Sequence, residues 1–373
     1  MSETGLVAAF TGVRKPFVIR EFPVPEPEPG AILIKVRLAN ICGSDLHIWR
    51  GTYDVSRGHS EPYCLSIGHE MAGEIAKLGD GVTSDSAGQP LKIGDRIVYQ
   101  YFCPCGRCRS CLRGTTPRCV DGLRYRTPPT EYPHFNAAFG QYYYLRAGQA
   151  VFKIPDNVSD DLAGPANCAL AQVIEGLQQG RAGVGDTLVI QGAGGLGINA
   201  VAVAKERGVS QIIIIDGIES RLELAVEFGA DVTLLLDEFP SAKDRVRRVK
   251  ELTDGDGADV VMELVGSAAV VPEGIEMLSN GGTYLEIGNI NQKQRVEFDP
   301  SVLVHGGKSL LGLMWYRPES LQQALILLST CGDRYPFHKI LSHRYPLRAI
   351  DQAFQDQDTG TVQRAALMPW EDE

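Results

Sequence analysis

The chain has 373 residues, 44% of them hydrophobic and 22% charged, with a formal net charge of −10. That length accommodates two domains with sizeable cores, and the composition is that of a globular protein. The acidic balance argues against nucleic acid as a partner; no apolar run is long enough to span a bilayer, and the opening MSETGLVAAF lacks a secretory pattern, so no membrane partner and a cytoplasmic location are expected.

Residues 1–40 alternate short apolar runs with prolines. Phe17–Ile19 and Ala31–Leu38 read as strands, and PVPEPEPG between them reads as an exposed turn. The run Ile41-Cys42-Gly43-Ser44-Asp45-Leu46-His47 then carries one cysteine and one histidine, and Ile67–Gly73 sets His69 beside Glu70 in a turn-rich context. Taken alone, either histidine is more simply a surface or satisfied core residue.

The most specific motif is Cys105, Cys108, Cys111 and Cys119, spaced C-x2-C-x2-C-x7-C. Four thiolates in so short a lobe can wrap one tetrahedral ion and leave no position for water, which makes a structural zinc site. Labile disulfides and an iron–sulfur cluster are the alternatives. Cys103 is a spare thiol. Residues 121–145 form a proline- and tyrosine-rich loop ending in a strand near Gln141–Leu145, and Val151–Asp156 reads as a further strand. Asp160–Gly180 reads as one or two helices broken at Pro165, with Cys168, taken alone, a small core residue.

From Gly185 the pattern changes to alternating strands and helices. Strands are expected at 187–191, 211–216, 232–236, 258–264, 282–287 and 308–314, with helices at 196–207, 219–229, 240–253 and 268–279. This is the pattern of a doubly wound parallel sheet. Its first turn, Gly192-Ala193-Gly194-Gly195-Leu196-Gly197, has the G-x-G-x-x-G form. Gly192 permits the tight turn, Gly194 admits a pyrophosphate to the backbone, and Gly197 lets helix and strand approach. The helix N-terminus offers free N–H groups to phosphate. Asp216 ends the next strand about 20 residues on, where a carboxylate accepts ribose hydroxyls and repels a 2′-phosphate. NAD is therefore expected over NADP, although Arg221 weakens that preference. The strand ends at Val265-Gly266-Ser267 and Ile287-Gly288-Asn289 are expected to give backbone contacts to the nicotinamide half. Beyond 317, a helix near Glu319–Ser329, a strand near Lys339–Tyr345 and a helix Ile350–Gln355 are too little for a domain of their own.

Together these motifs resemble the zinc-dependent alcohol dehydrogenases of the medium-chain dehydrogenase/reductase superfamily. The likeness covers nearly the whole chain and rests on Cys42–His47, Gly68-His69-Glu70-x-x-Gly73, the four-cysteine lobe, and Gly192–Gly197 with Asp216, in the family's order. It implies an α/β protein in which a Rossmann doubly wound sheet (residues 160–316) is inserted in a GroES-like, β-rich catalytic domain (residues 1–159 and 317–373). It implies NAD and two Zn²⁺ per chain, one catalytic and one structural. Cys42 and His69 become catalytic zinc ligands, with Cys168 the matching third ligand in preference to Asn167 and Glu175. Ser44 becomes the first relay hydroxyl and His47 the proton exit. Asp45 is expected to fix the tautomer of His69, and Glu70 either approaches the ion or forms a structural ion pair.

The implied reaction is reversible hydride transfer between NAD and an alcohol, expected to be secondary and hydrophobic or cyclic. Tyr53, His59, Tyr101 and the aromatics near 125–144 are candidate pocket walls or packing. A polyol or sugar dehydrogenase of the same family is the alternative. A zinc-free quinone or enoyl reductase would lack Cys42, His69 and the lobe, and a non-catalytic binding protein would not need Ser44 and His47. A homodimer or homotetramer is expected, as in relatives.

Overall fold

The computed structural model describes residues 3–55, 63–114, 119, 127–291 and 294–371. The chain divides into two compact units, residues 1–168 with 317–373, and residues 169–316. No helix among the described residues is long and apolar enough to cross a membrane.

The first unit is built on antiparallel sheet. Its larger sheet has seven strands, running His343–Pro346, Ala365–Met368, Ile32–Asn40, Glu70–Leu78, Arg96–Tyr99 and Val151–Lys153, with Tyr142–Leu145 also pairing on Ile32–Asn40. All neighbours are antiparallel except the two tail strands, which are parallel to each other. A smaller sheet joins Val18–Pro23, Thr4–Phe10 and Leu65–Ser66. Ile32–Asn40 is the centre of the unit, with Leu33, Ile34, Val36 and Ala39 all at 0% exposure. Its buried residues outnumber its exposed ones because both faces are covered, which is why it reads in sequence as an apolar run. Met71 and the start of Glu70–Leu78 are buried against it, so Glu70, expected in a turn, instead opens a strand, in register with Asn40.

Between these strands lies a helix the sequence pattern does not show, Gly43–Arg50. Cys42 stands at its N-cap with extended backbone, and the Cys42 N–H donates to Asp45 Oδ2 at 3.0 Å. A carboxylate in the first turn also suits the positive end of the helix. Gly51 ends the helix in the left-handed conformation (φ 77°), which a residue with a Cβ rarely adopts. The stretch expected as one or two helices is three pieces, Asp160–Ala163, a 3-10 turn Gly164–Asn167 and Ala169–Gln179. Pro165 fits the first turn of the 3-10 piece, where its missing N–H is not needed. Cys168 occupies the break before the long helix, with non-helical φ/ψ (−132°, −84°).

The second unit is a six-stranded, fully parallel sheet in the order Val232–Leu235, Gln211–Asp216, Thr187–Gln191, Ala258–Glu263, Leu278–Glu286, Ser309–Gly312. This is the doubly wound dinucleotide-binding order. Ile212, Ile213 and Ile214 are at 0% exposure; burial of each such side chain contributes about 1.5–3 kcal/mol. The expected helix at 268–279 splits into a 3-10 turn, Ala268–Val270, and a helix Val271–Met277 with Pro272 in its first turn. The strand after it starts at Leu278.

Candidate active site and nucleotide site

The first unit brings four donor side chains from distant parts of the chain to one point: Cys42, His69, Glu70 and Cys168, with ligand atoms all within 4.8 Å of one another. Three elements place them, His69 and the adjacent Glu70 sharing one. Cys42 caps the Gly43–Arg50 helix, His69 immediately precedes the Glu70–Leu78 strand, and Cys168 sits in the helix break. The Cys42 and Cys168 sulfurs are 3.8 Å apart, and His69 Nε2 is 3.3 Å from Cys168 Sγ. Two sulfurs bound to one tetrahedral zinc at ~2.3 Å lie ~3.8 Å apart, so the donors already have the spacing of a shared ion. Their chemistry also fits. Hydrogen bonding from Cys168 holds the Cys42 thiol well below its ordinary value, helped by the charges of His69 and Arg364.

The surrounding side chains fix these donors. Asp45, fully buried, faces His69 with Oδ1 3.5 Å from Nδ1 while its other oxygen caps the helix. Asn167, to which Cys168 is preferred as third ligand, has a different job: its Nδ2 donates to the carbonyls of His69 (2.9 Å) and Tyr99 (3.1 Å). The Tyr99 hydroxyl also donates to the His69 carbonyl, at 3.1 Å. Tyr101 lies against the His69 ring, centroids 4.6 Å apart. Glu175 is not in the cluster; it accepts from Gln179 within its own helix.

Glu70 forms a buried ion pair with Arg364, which sequence reasoning did not single out. The only signal was an isolated arginine directly before the apolar run Ala365–Met368. Burial pushes the Glu70 carboxyl up to about 8, against the opposing pull of Arg364. Ser44 is half-buried in the first turn of the Gly43–Arg50 helix, and His47 lies in its last turn. His47 Nδ1 is 3.0 Å from Thr52 Oγ1. Burial, then the charge of Arg50, lowers the His47 pKa below its ordinary 6.5.

Of the candidate pocket walls, Tyr53 is half-buried and its N–H donates to the His47 carbonyl. His59 and residues 120–126 lie outside the described residues. Phe135, Tyr142, Tyr143 and Tyr144 are buried, and Phe135 and Tyr142 pack edge to face. The aromatics at 135 and 142–144 therefore build the core.

The second cysteine cluster also closes. Cys108 Sγ is 3.5 Å from Cys111 Sγ and 3.8 Å from Cys119 Sγ, and Cys105 Sγ is 4.0 Å from Cys111 Sγ. The Cys108 N–H donates to Cys105 Sγ and the Cys105 N–H to Cys119 Sγ. Four thiolate donors at tetrahedral spacing fit a structural ion. Cys103 is buried beside them and outside the cluster.

In the second unit, the glycine turn joins Thr187–Gln191 to the helix Gly195–Glu206. Gly192 has φ 100°, and a Cβ on Gly197 would fall 2.0 Å from the Gly192 carbonyl oxygen. A Cβ on Gly194 would meet nothing within 4 Å, leaving an open cradle beneath the helix N-terminus, where Gly195 and Leu196 are half-buried. The donor geometry there suits a pyrophosphate. Asp216 Oδ2 accepts from the Ala193 N–H (2.7 Å) and Oδ1 from the Ile218 N–H (2.9 Å), with Arg221 Nη1 3.9 Å away. Val265 is 48% exposed at its strand end, whereas Ile287 is buried.

Comparison with known proteins agrees with both units. Residues 28–156 match the family model described as alcohol dehydrogenase GroES-like domain, and residues 195–330 match that described as zinc-binding dehydrogenase. The 5-exo-hydroxycamphor dehydrogenase of Pseudomonas putida is 32% identical over 345 residues, 92% of either chain. The L-threonine 3-dehydrogenase of Bacillus subtilis is 29% identical over 357 residues, covering 94% of this chain and 95% of that protein. Among solved structures, an alcohol dehydrogenase of Thermotoga maritima superposes with a TM-score of 0.90 at 27% identity, over 98% of this chain and all of that one.

Proposed function

This chain belongs to the zinc-containing alcohol dehydrogenase family of medium-chain dehydrogenases/reductases, and from that premise we propose that it interconverts a secondary, apolar or cyclic alcohol and its ketone with NAD. The observation that carries the reading is the donor set of buried Cys42 and His69 with half-buried Cys168, at the spacing of one tetrahedral ion. The bound zinc supplies Lewis acidity to the substrate oxygen, and the nicotinamide supplies the hydride acceptor.

The chain's own residues do the rest. Cys42, His69 and Cys168 hold the catalytic ion, and Asp45 keeps His69 in the tautomer whose Nε2 lone pair faces the metal. Cys105, Cys108, Cys111 and Cys119 hold a second ion that orders their lobe, giving two zinc ions per chain. Ser44 relays the proton released from the substrate hydroxyl, giving up its own O–H proton along the relay as it accepts that one, and His47 receives the proton at the far end and passes it to solvent. A lowered pKa keeps His47 neutral, and so able to accept, at neutral pH. Arg364, paired with Glu70, balances negative charge beside the thiolates.

Asp216 selects NAD: its carboxylate stands where a ribose 2′-hydroxyl would donate, and it repels a 2′-phosphate. Gly194 gives the pyrophosphate access, Arg221 lies beside Asp216, and the Val265 and Ile287 main chain borders the nicotinamide half. The hydroxycamphor dehydrogenase relative acts on a cyclic alcohol, which favours an apolar ring as substrate. We assign the assembled enzyme as a homodimer or homotetramer.

The deciding experiment is a screen of alcohols and ketones with NAD and NADP, followed by nicotinamide absorbance, alongside zinc analysis. Turnover of cyclic secondary alcohols with NAD is the expected result. A preference for polyols would replace the substrate assignment, and absence of turnover with any alcohol or ketone would overturn the enzyme reading. Asp216→Ser should shift preference towards NADP, and unchanged selectivity would remove Asp216 from that role.

A further inference from the structure

Cys168 and His69 are 99 positions apart in the chain, yet Cys168 Sγ lies 3.3 Å from His69 Nε2. A buried amide joins the two segments that carry them. Asn167 is at 0% exposure and directly precedes Cys168. Its Nδ2 donates to the His69 carbonyl at 2.9 Å and to the Tyr99 carbonyl at 3.1 Å. An amide oxygen in that place would be repelled by both carbonyls, so the nitrogen points there. Tyr99 Oη donates to the same His69 carbonyl at 3.1 Å, which engages both of its lone pairs. The main chain of His69 is thereby fixed, and the imidazole swings about a fixed pivot. Just before that pivot, a Cβ on Gly68 would fall 2.6 Å from the Phe139 ring.

The turn that carries Asn167 is seated as well. A Cβ on Gly164 would fall 2.7 Å from Asn40 Oδ1 and 2.8 Å from Leu38 Cδ2, so the Gly164–Asn167 turn rests directly on the strand Ile32–Asn40. The Cys168 N–H donates to the Pro165 carbonyl at 3.2 Å, which ties Cys168 to that turn. Two braces therefore converge on His69. Asp45 links the Cys42 main chain to the His69 ring. Asn167 links the Cys168 turn to the His69 main chain. Donor-to-ion distances hold to within about 0.2 Å, and a hydrogen-bonded brace one residue from a ligand acts on that scale.

We propose that Asn167 is a positioning residue for the catalytic ion, holding the Cys168 sulfur and the His69 imidazole at the separation a shared zinc requires. It acts through main-chain carbonyls and does not itself ligate. The proposal rests on the zinc reading above. Asn167→Leu tests it, because leucine keeps the branched shape and donates to neither carbonyl. Asn167→Ser, smaller and with one donor, carries the test should the leucine variant not fold.

The full-length chain is loaded with cobalt(II) in place of zinc, so that its visible absorption reports coordination geometry. The component missing from a Cys42→Ala chain marks the catalytic ion. Both Asn167 variants should show that component shifted or weakened. They should also yield the catalytic ion to a competing chelator about tenfold more readily than the parent, the ion of the four-cysteine lobe being held as before. Tyr99→Phe removes one bond from the same His69 carbonyl and leaves the brace to Cys168. It should lower the melting temperature and change the affinity for the catalytic ion less than about twofold. Asn167 variants that lose stability yet keep the parent's cobalt absorption and chelator affinity overturn the proposal. So does a Tyr99→Phe chain that releases the ion as readily as they do. A parent that takes up one ion only, in the four-cysteine lobe, overturns the zinc reading, and this proposal falls with it.

Discussion

Arg364 and Glu70 meet in a buried ion pair although 294 positions separate them in the chain. The pair brings a cation from the tail to the doorstep of the Cys42–His69–Cys168 cluster. Removing one partner of such a pair leaves an uncompensated charge in a dry site. Arg364→Met should therefore lower the stability of the zinc-loaded protein by about 3 kcal/mol, read by chemical denaturation. Glu70→Gln in the same chain should restore part of that loss. Additive losses in the double variant would show that the two residues act separately.

The glycine turn allows two clashes to be separated. Gly197→Ala places a methyl 2.0 Å from a backbone oxygen that cannot move without breaking the turn. It should cost about 3 kcal/mol of stability. Gly194→Ala meets only open space and has an ordinary φ of −72°. Its melting temperature should match the parent's, while NADH affinity drops about tenfold or more as the methyl enters the pyrophosphate's place. A Gly194→Ala protein that binds NADH normally would remove the pyrophosphate from that cradle.

His47 sets a pH limb. Its pKa in the folded chain lies below 6.5, so the fold binds fewer protons here than the unfolded chain. The neutral imidazole is present above the folded value, and both its stabilising contribution and its ability to accept a proton are lost as pH falls through it. Alcohol oxidation in the parent should decline on the acid side of 6.5. His47→Gln should turn over about tenfold more slowly at neutral pH and regain rate with added imidazole buffer. A pH profile identical to the parent's would exclude His47 from proton exit.

Cys111 provides the metal count. Cys111→Ser should reduce bound zinc from about two to about one per chain and lower the melting temperature, because an ion of this kind contributes to folding directly. Elemental analysis beside a thermal scan reads both. Retention of the full zinc content would move the second ion elsewhere.

How much of this was visible in the sequence follows from burial. The parallel strands of the second unit are covered on both faces, so Thr187–Gln191 and Gln211–Asp216 announce themselves as apolar runs and their limits agree with expectation. The four cysteines needed only their spacing. The Gly43–Arg50 helix was hidden because it is short, capped by a cysteine and mixes Trp49 with charged neighbours. Glu70 looked like a turn residue, since a fully buried carboxylate inside a strand makes sense only once Arg364 is beside it. The strand Ala365–Met368 is four residues of small and apolar side chains, too brief to carry a period. Asn167 holds carbonyls rather than metal, a role that depends on two main-chain groups no motif records.

The same tail strand has a consequence for how the polypeptide matures on the ribosome. Ala366 and Leu367 complete the edge of Ile32–Asn40 beside Asn40 and Ala39, the backbone leading into Cys42. That edge must wait, unpaired, while the whole of residues 169–316 is synthesised and folds as its own unit. A nascent chain stalled before the tail emerges would present this open edge to other chains, and chaperone capture of such stalled chains should be relieved once Ala365–Met368 has cleared the exit tunnel.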